Sequence, residues 1–359
     1  MKSTVVSALP EDFRQFLALS AEIGRDILKT QGAGGNTSIK HGDCLWVKAS
    51  GTWLANALDG NIMVPVDRVG LLEALRAGDE RAEKATAFIR NDLDPGALRP
   101  SIETTLHAAL PQRVIAHFHC VHTIALAVLA RREDLIANRM AHVPDLKWAL
   151  VPYHRPGIPL AQTIDSIAET RPDVIILANH GLIVCGETID EVRNRIQRVT
   201  TALAGTSRHT PAPALLSLEG ICRDTAYRPA RDAETHATAL YSQNIQIATG
   251  GSLYPDHVIF LGTRIGLLAD GQVVSDFTSI FERRGEQPPK LIIAPGIGVL
   301  LPQDMTTGGE AMARCLSEVV SRIPDGEPII YLTKPDEYAL TGWEAEKYRQ
   351  SFDRGQNAQ

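Results

Sequence analysis

The run VIAHFHCVH, residues 114–122, sets His117 and His119 one residue apart in an otherwise apolar, strand-like stretch. Side chains two apart on a strand point to one face, so both imidazoles converge while Phe118 turns away. Two imidazoles at this spacing suit a divalent metal, with zinc–nitrogen bonds of about 2.0–2.1 Å. A pair of hydrogen-bonded core histidines fits the same spacing. A second apolar run, VIILANHGLIVCG (174–186), carries His180 followed by Gly181, a residue that lets the backbone turn closely. A third imidazole from that strand would complete a three-histidine set with open positions, as a catalytic zinc site requires; taken alone, His180 reads as a core histidine. Glu103, in PSIETTLH, stands at the start of a predicted helix. There it suits the helix dipole, or pairs with His107 on the same helical face. Brought to an open metal site, it would act as general base or fourth ligand.

The elements that must carry these residues follow from pattern. Phe13, Phe16, Leu17, Ile23, Ile27 and Leu28 recur at helical spacing, and predict an amphipathic helix over 11–31. Glycines in QGAGGNTSIK end it before a short strand, and CLWVKASG (44–51) reads as a second strand running into a turn. Residues 67–91 read as helical, and another helix is expected to start near Pro100 and Ser101. After the histidine strand come a helical run near 121–139, the strand 174–186, and a long helix over 188–205. Residues 205–220 are rich in Gly, Pro, Ser and Thr and read as a linker. Beyond it, HVIFLG, IGLLADGQVVS, KLIIAPGIGVLL and PIIYL are strand candidates, with one clear helix at 309–323. The expected division is 1–208, a linker 209–220, and a smaller unit 221–359 whose polar end, from 349, is expected to fray.

The chain has 359 residues, enough for two cores, and its 44% hydrophobic and 22% charged residues are those of a soluble globular protein. A net charge of −6 argues against a nucleic-acid-binding surface. No apolar stretch approaches the roughly 20 residues that span a bilayer. The apolar patch at the N-terminus is broken by Pro10 and acids, too soon for a signal peptide. Cys44, Cys120, Cys185, Cys222 and Cys315 form no CxxC pair, so neither a disulfide framework nor a cysteine zinc site is expected, and a reducing cytoplasm is the default.

GAGGNTSIK, VKASGT, RPSIETTLH, AHFHC and LANHG follow one another in an order that resembles the class II aldolase/adducin family, over roughly residues 12–205. Within it, LWVKASGTWLA and PSIETTLHAALP look most like the aldolase portion of bifunctional rhamnulose-1-phosphate aldolase/alcohol dehydrogenases. PGIGVLL and GWEAEKYRQ resemble the connecting region of those proteins. The expectation is therefore an aldolase part without its dehydrogenase.

The resemblance implies an α/β fold: an α/β/α sandwich on a mixed, mainly antiparallel sheet, with a smaller C-terminal α/β domain beside it. It implies His117, His119 and His180 as ligands of a divalent ion, zinc first and manganese or cobalt as alternatives, with Glu103 as acid/base. It places Gly35, Asn36, Ser50, Gly51 and Ser101 around the anionic end of a sugar or sugar phosphate, and it implies a homo-oligomer, commonly a tetramer. Small residues that let backbone N–H groups approach an anion make chemical sense of the glycines, and Ser101 near a helix start does the same; a plain helix stop explains GAGGN as well. Lys48 either neutralises that anion or is a solvated strand lysine. Ile102 stands where many sugar-phosphate aldolases of the family have a second serine. Tyr153 and Tyr241 are the nearest candidates for a proton donor, and each also reads as a core tyrosine. Gly296 and Gly298 read as a turn, and Asp256 and His257 as structural.

The implied activity is cleavage of a ketose through a metal-stabilised enediolate. Epimerisation, dehydration and decarboxylation by the same centre are the alternatives, and an adducin-like, non-catalytic interaction protein is the alternative of another class.

Overall fold

A computed structural model describes residues 9–93, 96–342 and 344. The N-terminal apolar patch lies largely outside these residues, as does the end expected to fray.

Helix α1 (Phe13–Arg25) buries Phe16, Leu19 and Ile23, and the chain then reverses through the glycine run into β1 (Asn36–His41) and β2 (Cys44–Lys48). β3 (Met63–Asp67) and α2 (Arg68–Ala77) follow. The helix predicted to reach residue 91 ends here because Gly78 takes a φ of 70°, a left-handed stop; short 3-10 turns carry the chain onward. α3 (Thr104–Ala109) begins later than expected, because Ser101 forms a turn whose carbonyl accepts from both the amide and the hydroxyl of Thr104. Next come β4 (Val114–Phe118), α4 (Val121–Ala127), α5 (Arg132–Met140), β5 (Trp148–Val151), α6 (Ile158–Ala168), β6 (Val174–Leu177), β7 (Gly181–Gly186) and α7 (Ile189–Ala202). The single helical run expected near 121–139 is two helices. Between them the backbone bonds elsewhere: Ala130 N–H donates to Pro328 O, and Val128 O accepts from Ile330 N–H, each at 2.8 Å.

These strands form one sheet in the order β3-β2-β1-β4-β7-β6-β5, antiparallel throughout except for the β5/β6 pair. Alternation divides its side chains between two cores. Val114, Ala116 and Phe118 of β4 pack with α1, α5 and α7, whereas Ile115 faces the opposite way with α2, α3 and α6. The result is three layers, helices on both faces of the sheet.

Past residue 204 the chain has no regular element until α8 (Leu215–Ile221), which occupies the end of the stretch expected as linker. β8 (Tyr227–Pro229), α9 (Ser242–Gly250), a π-helical turn (His257–Leu261), β9 (Gly266–Leu267), α10 (Val274–Glu282), β10 (Ile292–Ala294), β11 (Gly298–Pro302), α11 (Thr307–Val320) and α12 (Lys334–Thr341) complete the described chain. A second sheet runs β8-β11-β10-β9. HVIFL, expected as a strand, is the π-helical turn, and PIIYL contributes an isolated bridge at Ile329. A short buried apolar run does not distinguish strand from buried helix.

This second part shares a core with the first. Val121, Ile124 and Val128 pack among Leu253, Val258, Ile293 and Leu316. Asn179 adds a polar tie. Its amide donates to Leu253 O at 3.0 Å and Ile330 O at 2.7 Å, while its oxygen accepts from Arg132 at 3.0 Å.

Candidate metal centre

The centre forms where β4 ends and the β6–β7 hairpin turns. His117 and His119 project from the end of β4, as their spacing predicts. His180 does not lie in a strand. The stretch 174–186 folds back on itself as β6 and β7, with Asn179 in the left-handed region at φ 53° and His180 in the turn. Gly181 is required there, because a Cβ would come within 2.6 Å of Phe118 O. The three ring centroids are 5.0–5.2 Å apart, and their ligating atoms lie within 4.8 Å of one another.

Glu103, next to the first residue of α3, reaches the same point. Its Oε2 is 3.3 Å from His117 Nε2 and its Oε1 is 3.6 Å from His180 Nε2. Register explains how it is held. Asn36 of β1 stands directly opposite His117 of β4, so both side chains share a face. The Asn36 amide donates to Glu103 Oε2 at 2.9 Å and to Ser101 Oγ at 3.0 Å. Its oxygen is then left for His107 Nε2, which makes Nε2 the protonated nitrogen, while Nδ1 faces Ser38 Oγ at 2.7 Å. His107 therefore does not pair with Glu103 along the helix; it orients the amide that does.

His117 Nε2, His119 Nε2 and Glu103 Oε1 are buried with no hydrogen-bond partner, and His180 turns its Nε2 toward Glu103. Orphaned buried acceptors are costly, and a divalent cation is what three converging imidazoles beside a carboxylate would satisfy. Electrostatics agree with that fit. Burial pushes the Glu103 carboxyl up, but the three imidazoles and the Asn36 amide outweigh it and hold it at about 2. Burial pushes His180 down to about 3, and it lowers His117 as well. The resting site thus pairs an ionised Glu103 carboxylate with neutral His117 and His180 rings, the protonation state that metal binding needs.

Glu103, His119, His180, Gly35, Asn36, Ser50, Gly51 and Ser101 line one cavity, with Ile102 on its wall; His117 is fully buried beside it. Gly35 adopts φ 63°, and a Cβ there would meet His117 O at 2.8 Å. Lys48 also lines the cavity, but it is not a solvated strand lysine. It is 1% exposed, and its ammonium donates to Ala33 O at 2.8 Å and Thr52 O at 2.7 Å, tying the glycine run to the turn after β2. Tyr153 packs against the shared core and Tyr241 donates to Asp325, so neither ring reaches the cavity.

One residue escaped the sequence reading. Asp256, read there as structural, lines the cavity with Pro255, and its Oδ2 is 2.9 Å from His119 Nδ1. Nothing in its local pattern signals this, because the contact joins two distant segments.

The buried histidines set a pH dependence. Burial depresses His107 to about 3 and His257 to about 4, whereas an unfolded histidine titrates near 6.5. Below about 6.5 the unfolded chain therefore takes up protons that the folded chain refuses. Stability is complete above that value and is lost as pH falls toward 4, by on the order of 1 kcal/mol per pH unit for each ring. Urea titrations from pH 7.5 to 4.5 should show this decline, and a flat profile would contradict burial of neutral rings.

A mixed, mainly antiparallel sheet between helices, with three histidines at one end, defines the class. The chain belongs to the class II aldolase and adducin N-terminal domain family, whose model matches residues 15–204. It is 31% identical over 197 residues to the "uncharacterized oxidoreductase YuxG" of Bacillus subtilis (strain 168), covering 50% of this chain and 27% of that protein. It is 31% identical over 116 residues to the 3-oxo-tetronate 4-phosphate decarboxylase of Escherichia coli (strain K12), covering 28% and 52%. The chain thus matches only part of these curated relatives. Among solved structures, the N-terminal class II aldolase domain of a conserved protein from Thermoplasma acidophilum is 26% identical, with a TM-score of 0.47, over 54% of this chain and 93% of that one. No helix among the described residues is long and apolar enough to cross a membrane.

Proposed function

We propose that the protein is a metal-dependent carbon–carbon lyase that cleaves a ketose, in particular a sugar phosphate, through an enediolate. The observation that carries this reading is the convergence of His117, His119 and His180, with Nε2 of the first two orphaned, beside an ionised and partly orphaned Glu103. The three imidazoles would hold a divalent ion, with zinc first and manganese or cobalt as alternatives. When bound, the ion supplies positive charge that polarises a carbonyl and stabilises a developing enediolate. Glu103 moves the proton. Asn36 fixes Oε2, so Oε1 is the oxygen left to take a proton from carbon in the condensing direction and to return it in cleavage. Ser50 and Ser101, with Gly35 and Gly51, receive the anionic end of the substrate. The amide hydrogens of Asn36 are already engaged by Glu103 and Ser101, so its side chain serves the acid/base rather than the anion.

The same reading takes residues 1–208 as the catalytic unit and the protein as a homo-oligomer of tetrameric type. Five buried free cysteines support a reducing, cytoplasmic setting. A second reading, decarboxylation, is favoured by the likeness to the decarboxylase relative, and it uses the same centre. The buried, complete ligand set speaks against a non-catalytic, adducin-like role.

A panel of ketose phosphates and sugar acids, assayed with and without added zinc, tests the proposal. Metal-dependent release of an aldehyde is the expected result. Release of carbon dioxide instead would make decarboxylation the function, and no bound divalent ion at all would sink both.

A further inference from the structure

The three histidines lie in the first part of the chain, yet the second part touches one of them. Asp256, at the start of the π-helical turn, is 2% exposed and places Oδ2 2.9 Å from His119 Nδ1. That nitrogen is opposite the orphaned Nε2. Asp256 stands outside the converging three-histidine set, so it backs the ring rather than joining the ligands. Room for the contact is kept by Gly34, where a Cβ would sit 3.0 Å from that Nδ1 and 3.1 Å from that Oδ2. The segment is fixed by Asn179, the neighbour of His180, whose amide holds Leu253 O. His117 is backed in the same manner, with its Nδ1 3.1 Å from Leu182 O.

We propose that Asp256 is a positioning residue for the metal centre: its carboxylate takes the Nδ1–H of His119 and leaves the Nε2 lone pair free for the cation. The second part of the chain thereby sets the metal affinity of a site whose ligands it does not supply. The inference rests on the reading of the histidines as metal ligands. Its physical basis is that an outer carboxylate fixes the tautomer of a ligating imidazole and raises its basicity. The pair is in contact without the alignment of a full hydrogen bond, and such contacts tighten when a site is loaded.

The test is a Zn2+ competition titration of the full chain against a chromophoric chelator, with Asp256→Ala and Asp256→Asn beside the parent. Asp256→Ala is expected to bind Zn2+ about 10- to 100-fold more weakly. Asp256→Asn, whose amide oxygen still accepts, should recover part of that loss, a rescue that a merely structural role would not give. An alanine variant that binds Zn2+ as tightly as the parent overturns the inference while leaving the metal reading intact. A parent that takes up no Zn2+ removes the metal reading and this inference with it. Should the alanine variant fail to fold, the Co2+ absorption spectrum of Asp256→Asn decides. A shifted band supports the proposal, and a spectrum identical to the parent's overturns it.

Discussion

Glu103→Gln should yield a folded protein that still takes up a divalent ion but turns substrate over about 100- to 10,000-fold more slowly, the range that a positioned acid/base contributes. The substitution changes little else. Glutamine has the same shape, and its amide oxygen can take the place of Oε2 in accepting from Asn36, a bond of 2.9 Å in the parent. The network from Asn36 through His107 to Ser38 is then undisturbed. The three imidazoles remain, so the proposed ligand set is complete. What is lost is an oxygen that can hold a proton, because an amide at the place of Oε1 donates and does not accept. Metal analysis and turnover on the same sample separate the possibilities. Metal retained with turnover lost assigns Glu103 to proton transfer. Metal lost as well would make it a ligand, and unchanged turnover would remove it from the mechanism.

How much of this was legible beforehand depends on whether the signal was local. His117 and His119 were, because strand alternation alone fixes that they share a face. Their pairing with Asn36 was not, since register across β1 and β4 is not written in either strand. His180 was legible as a residue and not as a place. VIILANHGLIVCG is apolar at nearly every position, and it reads as one strand; only the left-handed Asn179 and the close approach at Gly181 reveal the hairpin. Lys48 admits two readings in the sequence for a similar reason. Alternation says which face a strand residue occupies, not whether loops will close over it, and here the carbonyls of Ala33 and Thr52 do so. HVIFL carries strand-forming residues but packs as a π-helical turn inside the shared core. Asp256 precedes that turn, so the error in the element hid the residue. The pattern of misses is physical: periodicity reports which faces are apolar, and the site is assembled where segments distant in the chain meet.

The other large effect expected is that of His117→Ala. This ring is fully buried, with Nδ1 at the Leu182 carbonyl and Nε2 orphaned toward Glu103. Its removal takes away a proposed ligand rather than a ligand's support, so the affinity lost should exceed the 10- to 100-fold that an outer partner typically contributes. Turnover should fall to background. A cavity is also left, and truncation of a buried ring by itself costs about 3–5 kcal/mol where a large aromatic is removed; a lower melting temperature is therefore expected and is not evidence for a metal role. Chelation separates the two causes. Parent protein stripped by a chelator should lose activity and regain it when Zn2+, Mn2+ or Co2+ is returned. The folded fraction of His117→Ala, stripped and resupplied in the same way, should regain nothing. Recovery in the variant at moderate metal concentration would mean that His119, His180 and Glu103 suffice, and the third imidazole would then be a core histidine after all. Activity in the parent that survives exhaustive chelation would carry more weight still, because three imidazoles and a carboxylate without a cation have no means of stabilising an enediolate at this end of the sheet.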